Sequence, residues 1–148
     1  MFLIHSCSSF FGSYDLGANF TLLDGDRVED RIIVYCSPNN GDKWCSGGMY
    51  IIPTYEKHYK NGKYAEYVEI AKSNERWIIA QSLDIINKKK NYWIIDKSFK
   101  LEDKFKEWPL SNADGLSFDS IIQSHILGPL SYKTFKEKKD TLDIKIIL

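Results

Sequence analysis

The run Trp77-Ile78-Ile79-Ala80-Gln81-Ser82 returns sixteen residues later as Trp93-Ile94-Ile95-Asp96-Lys97-Ser98. Aromatic and β-branched residues favour extended backbone, and the polar stretch Asn87-Lys88-Lys89-Lys90-Asn91 separates the two copies. Upstream, Val68-Glu69-Ile70-Ala71-Lys72 precedes a second polar stretch, Ser73-Asn74-Glu75. The pattern predicts a three-stranded antiparallel meander with hairpin turns at 73–75 and 87–91. Neighbouring residues of a strand point to opposite faces, so the two Ile-Ile pairs predict a sheet covered on both sides. Two copies are too few for a repeat architecture.

Around this meander, Phe20-Thr21-Leu22-Leu23 reads as a strand followed by an Asp24-Gly25-Asp26 turn, and 31–36 reads as another strand. Gly47-Gly48 interrupts the chain before a strand ending at Pro53. Residues 99–115, around Trp108-Pro109, read as a polar surface excursion. Ser117 is placed to cap a short helix to about Ser124, and Gly128-Pro129 breaks the chain after it. Ser131 is placed to cap a second helix, with Leu130 and Phe135 at the spacing of a hydrophobic staple. Tyr132, Phe135 and Leu142 would share its inner face, and Ile144 to Leu148 reads as a final strand. The expected fold is a single α+β domain over 20–148, with a mostly antiparallel sheet and one or two short C-terminal helices. A chain of 148 residues buries roughly 68–70% of its unfolded surface on folding, enough for a core without staples.

The N-terminus points to location. Phe2-Leu3-Ile4-His5-Ser6-Cys7-Ser8-Ser9 resembles the end of a lipoprotein signal, in which the cysteine becomes the first mature residue and carries the lipid. Residues 1–6 would be a signal remnant, Cys7 the lipidation site and the Ser/Gly-rich stretch 7–19 a tether. The basic n-region is missing, so either the true start lies upstream of Met1 or the chain is a soluble cytoplasmic protein. Cysteine arithmetic favours export: lipidating Cys7 leaves Cys36 and Cys45, which flank a turn-rich loop suited to a disulfide. Two unpaired thiols in a cytosolic protein are the alternative. Twenty basic and twenty acidic residues cancel, which argues against a nucleic-acid partner, and no apolar run is long enough to span a bilayer.

Chemistry-bearing residues are sparse. The acidic cluster Asp24, Asp26, Glu29 and Asp30 lacks the spacing of a Ca²⁺ loop and reads as a solvated turn. Cys36, Cys45 and His58 would make a zinc site only with an unusually wide cysteine pair. No nucleophile elbow and no phosphate loop after a strand occur, and His125 sits among apolar residues. No metal, cofactor or catalytic residue is therefore expected. The remaining concentration is aromatic: Trp44, Tyr50, Tyr55, Tyr59, Tyr64 and Tyr67 fall close together, a candidate surface for a protein or glycan partner.

The segments 71–81, 91–97 and 128–135, with Leu16-Gly17 and 47–53, resemble small bacterial lipoproteins grouped as a domain of unknown function. The resemblance covers most of the chain from about residue 15 and implies a small exported domain without catalytic residues. The leading expectation is a non-enzymatic, lipid-anchored interaction domain of the bacterial cell envelope, attached to the membrane only through its lipid. The alternatives are a soluble intracellular immunity or inhibitor-type protein and a metal-dependent hydrolase using Asp24, Asp26 or His58. Mass spectrometry of unreduced protein is expected to find Cys36 and Cys45 joined; two free thiols there would remove the cysteine argument for export.

Overall fold

The computed structural model describes residues 13–36, 48–99 and 119–148. Two four-stranded antiparallel sheets carry the α+β fold. The first, in strand order β1-β2-β3-β4, contains β1 (Ser13–Gly17), β2 (Phe20–Leu23), β3 (Ile32–Tyr35) and β4 (Met49–Ile52). A helical turn, α1 (Tyr55–His58), leads into a two-stranded ribbon of β5 (Tyr59–Lys60) and β6 (Lys63–Tyr64). The second sheet contains the long strands β7 (Glu66–Ser73), β8 (Trp77–Asp84) and β9 (Lys89–Asp96), with β10 (Ile126–Leu130) beside β9. Residues 119–124 form α2, and α3 spans Tyr132–Thr141.

The meander is present as β7-β8-β9, and its register explains the repeated motif. Ile78 pairs with Ile95, Ile79 with Ile94 and Ala80 with Trp93. Antiparallel partners share a face, so the pairs Ile78–Ile95 and Ala80–Trp93 enter one core and Ile79–Ile94 the other. The first core lies between the sheets, where Phe20, Ile33 and Ile52 meet Val68, Ile78 and Ile95. The second covers the opposite face of the meander, where Trp77, Ile79 and Ile94 meet Phe135 of α3 and Ile144. Both faces are covered, as the paired isoleucines require. The two tryptophans of the motif fall on opposite faces.

Several boundaries differ from the sequence reading. The tether expected over 7–19 ends early: from Ser13 onward the chain is strand β1, with Leu16 buried in the inter-sheet core. Ala18 (φ 50°) and Asn19 (φ 67°) adopt the left-handed backbone of a two-residue hairpin, which pairs β1 with β2. Lys97 holds β1 from the other side, its ammonium donating to the carbonyls of Leu16 (2.6 Å) and Asn74. The strands also divide between two sheets rather than extending one, because the apolar faces of β2, β3 and β4 cover the meander.

The second hairpin turn is shorter than expected. β9 begins at Lys89, pairing with Asp84, so only 85–88 connect the strands. The first turn lies at 74–76, where Asn74 Oδ1 accepts from the backbone N–H groups of Arg76 (3.0 Å) and Trp77 (2.7 Å). Gly128-Pro129 does not end the local structure; it interrupts the β10–β9 register inside an edge strand, where proline is tolerated. Gly128 (φ +147°) has a backbone that side chains rarely adopt, and a Cβ there would strike the Trp93 ring.

Ser131 caps α3 as expected, its side chain accepting from the Thr134 N–H (3.2 Å). Phe135 is buried on the inner face, whereas Tyr132 is 57% exposed. Residues 144–148 form no strand. Ile144 sinks its side chain beneath the meander while its N–H bonds back to the Lys139 carbonyl (2.9 Å), so the segment packs as an irregular tail. The excursion proposed for 99–115 lies, beyond Phe99, outside the described residues, as does Ser117.

Arg76 closes the open end of the meander. Its guanidinium lies over the Trp77 ring (4.6 Å) and donates to Asp96 (Nη2 to Oδ2, 3.1 Å). Burial alone would raise the Asp96 carboxyl, but bonds from Arg76 and from the Ser98 hydroxyl and N–H outweigh it and hold it down to about 2. A carboxyl depressed on folding adds stability above its ordinary value of 3.8, and that contribution is lost as pH falls toward 2. Asp96→Asn is therefore expected to lower the Tm at neutral pH and flatten its acid dependence below 3.8. A thermal melt series with an unchanged acid slope would refute this assignment.

Candidate functional site

The aromatic segment folds around a histidine. Thr54 and Tyr55 start a single helical turn because Pro53 ends β4, and the turn places His58 beneath the ribbon. His58 is 1% exposed, and its Nδ1 lies 2.7 Å from the Glu66 carbonyl oxygen. A carbonyl only accepts, so Nδ1 carries the proton and the tautomer is set by the backbone of β7. Around the imidazole sit Tyr59 (ring centroids 4.3 Å), Tyr64 (5.5 Å) and Tyr50 (5.9 Å). Tyr55 closes the outer side, 5.3 Å from Tyr50 and 5.9 Å from Tyr59.

The ribbon that presents these rings turns at Asn61 (φ 54°) and Gly62 (φ 73°), pairing Tyr59 with Tyr64 and Lys60 with Lys63. Asn61-Gly62, flanked at two residues by Tyr59 and Tyr64, is a strong hairpin signal that the expected strands do not include. The Tyr64 hydroxyl donates to Asp30 Oδ1, which ties the ribbon to the 3-10 turn Val28–Asp30 of the first sheet. This bond raises the Tyr64 phenol well above its usual value, helped by Tyr59 and by burial. For Asp30, burial acts upward, but the Tyr64 hydroxyl, the Arg27 N–H and the nearby Arg27 charge lower the carboxyl. Burial, together with Tyr59 and Tyr55, raises Tyr50.

Four of the six aromatic candidates, Tyr50, Tyr55, Tyr59 and Tyr64, are thus brought together. Tyr67 is apart from them: it lies in β7 opposite Leu83 and is 9% exposed. Trp44 lies outside the described residues, as do Cys7 and Cys45. Cys36 is half-buried at the end of β3, its sulfur 3.8 Å from Thr21 Oγ1. Of the cluster only Tyr55 is broadly open, at 58% exposure. His58 organises it, a role that a lone histidine in a tyrosine-rich sequence does not announce.

The acidic cluster does not converge. Asp24 pairs with Arg31 (3.3 Å), whose other nitrogen donates to the Glu69 carbonyl (3.0 Å), and Asp30 is engaged by Tyr64 and Arg27. Among the described residues, no three His, Cys, Asp or Glu side chains are placed to share a metal. His125 stacks on Phe99 (4.8 Å, 27°), and its carbonyl accepts from the Asp96 N–H.

A second polar feature begins one residue past Ala65. Glu66 is 5% exposed, and its Oε1 accepts from Asn91 Nδ2 (2.7 Å) and from the Ser82 hydroxyl (3.1 Å). The Trp93 indole N–H donates to the same Ser82 oxygen (2.8 Å). A buried carboxylate needs such donors to survive desolvation. Nothing in the local sequence Ala65-Glu66-Tyr67 marks it, because its partners come from β8 and β9.

Comparison with protein families, with curated proteins and with solved structures finds no match for this chain. Tyr64→Phe removes the hydroxyl that anchors the ribbon to Asp30. The bond is partly solvated, so a loss of about 1 kcal/mol in chemical denaturation is expected. Asp30 is lowered on folding, so its contribution is present above its ordinary value of 3.8 and fades as pH falls through the folded value. The variant should consequently lose less stability on acidification than the parent, and equal losses would refute the link.

Proposed function

We propose that this chain is a non-enzymatic interaction domain of the bacterial cell envelope, held to the membrane by a lipid on Cys7, with a protein as its partner. The observation that carries the interaction reading is the exposed Tyr55 ring, set on rings held in place by buried His58. Tyrosine offers apolar area and a polar tip at low conformational cost, and a pre-ordered cluster loses little further freedom on binding. The ring angles favour a protein over a stacked sugar. Tyr55 stands at 73° to Tyr50 and at 55° to Tyr59, so edges and hydroxyls are presented rather than one flat platform.

The anchor rests on the Cys7-Ser8-Ser9 context, and the disulfide on the turn-rich spacing of Cys36 and Cys45. Because Ser13–Gly17 is strand β1, any tether behind Cys7 ends before Ser13, which supports a domain held close to the bilayer surface.

A photo-crosslinking residue at position 55 in living cells is expected to trap a discrete protein, and Tyr55→Ala to lose that partner without lowering the Tm. Partner binding that survives Tyr55→Ala would overturn the surface. Cys7→Ser is expected to release the protein from membranes. Membrane association that persists without the thiol would overturn the lipid anchor, and a cytosolic pool with reduced cysteines would favour the intracellular immunity-type reading instead.

A further inference from the structure

A cleft of about 390 Å³ opens beside the ribbon, between α1 and the turn end of β8 and β9. Glu66 and Asn91 form its buried side, Lys57, Lys60 and Lys89 stand at its rim, and Asp84 completes the polar lining. Asp84 is already occupied, both its oxygens accepting from Asn87 (3.0 and 2.8 Å). Glu66 is not. Both internal donors reach Oε1, and Oε2 accepts from no described residue although the side chain is almost wholly buried. None of the three ammonium groups forms a hydrogen bond or a close ion pair with a described residue, although the Lys60 charge acts on Asp84 at longer range.

We infer that this cleft binds a small sugar bearing one anionic group, with Glu66 accepting a ligand hydroxyl and Lys57, Lys60 and Lys89 holding the anion. Three cations against two carboxylates leave the cleft net positive, and Glu66 lies deep while the exposed lysines, with half-exposed Asp84 bonded to Asn87, ring the opening. That separation suits a ligand with a neutral donor at one end and a negative charge at the other. A hydroxyl fits the inner end better than an ammonium group. An ammonium would need several acceptors where one carboxylate oxygen is open, and it would lie among three lysine charges. Carboxylate and phosphate both satisfy the rim, so a sugar acid and a sugar phosphate are the two sources of the anion. The tyrosine surface plays no part in this site, and either can fail without the other.

Calorimetry on the full chain with galacturonate, galactose 1-phosphate, galactose, inorganic phosphate and alanine tests the inference. At least one of the two anionic sugars is expected to bind, and which one identifies the anion. Lys57→Ala with Lys60→Ala, both exposed, and Glu66→Gln, which keeps an acceptor for Ser82 and Asn91, should each weaken it about tenfold. Tyr55→Ala should leave it unchanged. Glu66→Gln is scored only against an unchanged thermal melt, and the exposed lysine pair decides the matter if that variant unfolds. Absence of binding by both anionic sugars, equal binding of galactose, equal binding of phosphate alone, or preference for alanine would overturn the inference.

Discussion

The pairing of β8 with β9 is the constraint on which the rest of the molecule depends. Its register puts Ile78 opposite Ile95 and Ile79 opposite Ile94, so one hairpin supplies the centre of two cores. A strand pair that is apolar on both faces cannot be stable with either face in water. One face recruits the first sheet through Phe20, Ile33 and Ile52, and the other recruits α3 through Phe135 and the tail through Ile144. Slipping the register by one residue would exchange the two sets and leave Trp93 facing the wrong layer.

Where polar groups enter this frame, they are held by partners from distant strands. Glu66 is accommodated because Ser82 and Asn91 reach it from β8 and β9, and His58 because the β7 backbone accepts its Nδ1 proton. Lys97 is lowered by burial, and its ammonium is held by two carbonyls that connect β1 to the β7–β8 turn. These contacts are costly to leave half-made, so each fixes the relative position of the segments it joins. The ribbon carrying the tyrosines inherits that rigidity twice, through His58 and through the Tyr64–Asp30 bond. Both candidate sites, the tyrosine face and the Glu66 cleft, therefore stand on ordered supports, and Lys57 and Lys60 flank the same histidine that orders the rings.

Legibility in the sequence followed the range of the interaction. The meander, the strand at 20–23 and the Ser131 cap were readable because side-chain alternation and capping act within a few residues. β1 was not: Ser13-Tyr14-Asp15-Leu16-Gly17 has one apolar aliphatic residue, and it is a strand because Leu16 reaches a core built by others and Lys97 grips its backbone. The tail 144–148 erred in the opposite direction, its alternating isoleucines reading as a strand although no sheet edge meets its backbone. Tyr67 lies close to the other tyrosines along the chain, but the strand that follows the ribbon carries it to a different environment.

The sequence by itself determined the α+β class, the two-sided burial of the meander and the concentration of tyrosines near the ribbon, because composition and periodicity carry that information locally. Only the tertiary structure decided that the strands form two sheets, that His58 centres the tyrosines and that Glu66 lies buried beside a lysine-rimmed cleft. Those outcomes depend on contacts between residues far apart in the chain, such as Glu66 with Asn91 and Tyr64 with Asp30. Such pairings are set by strand register and sheet packing, which no local pattern specifies.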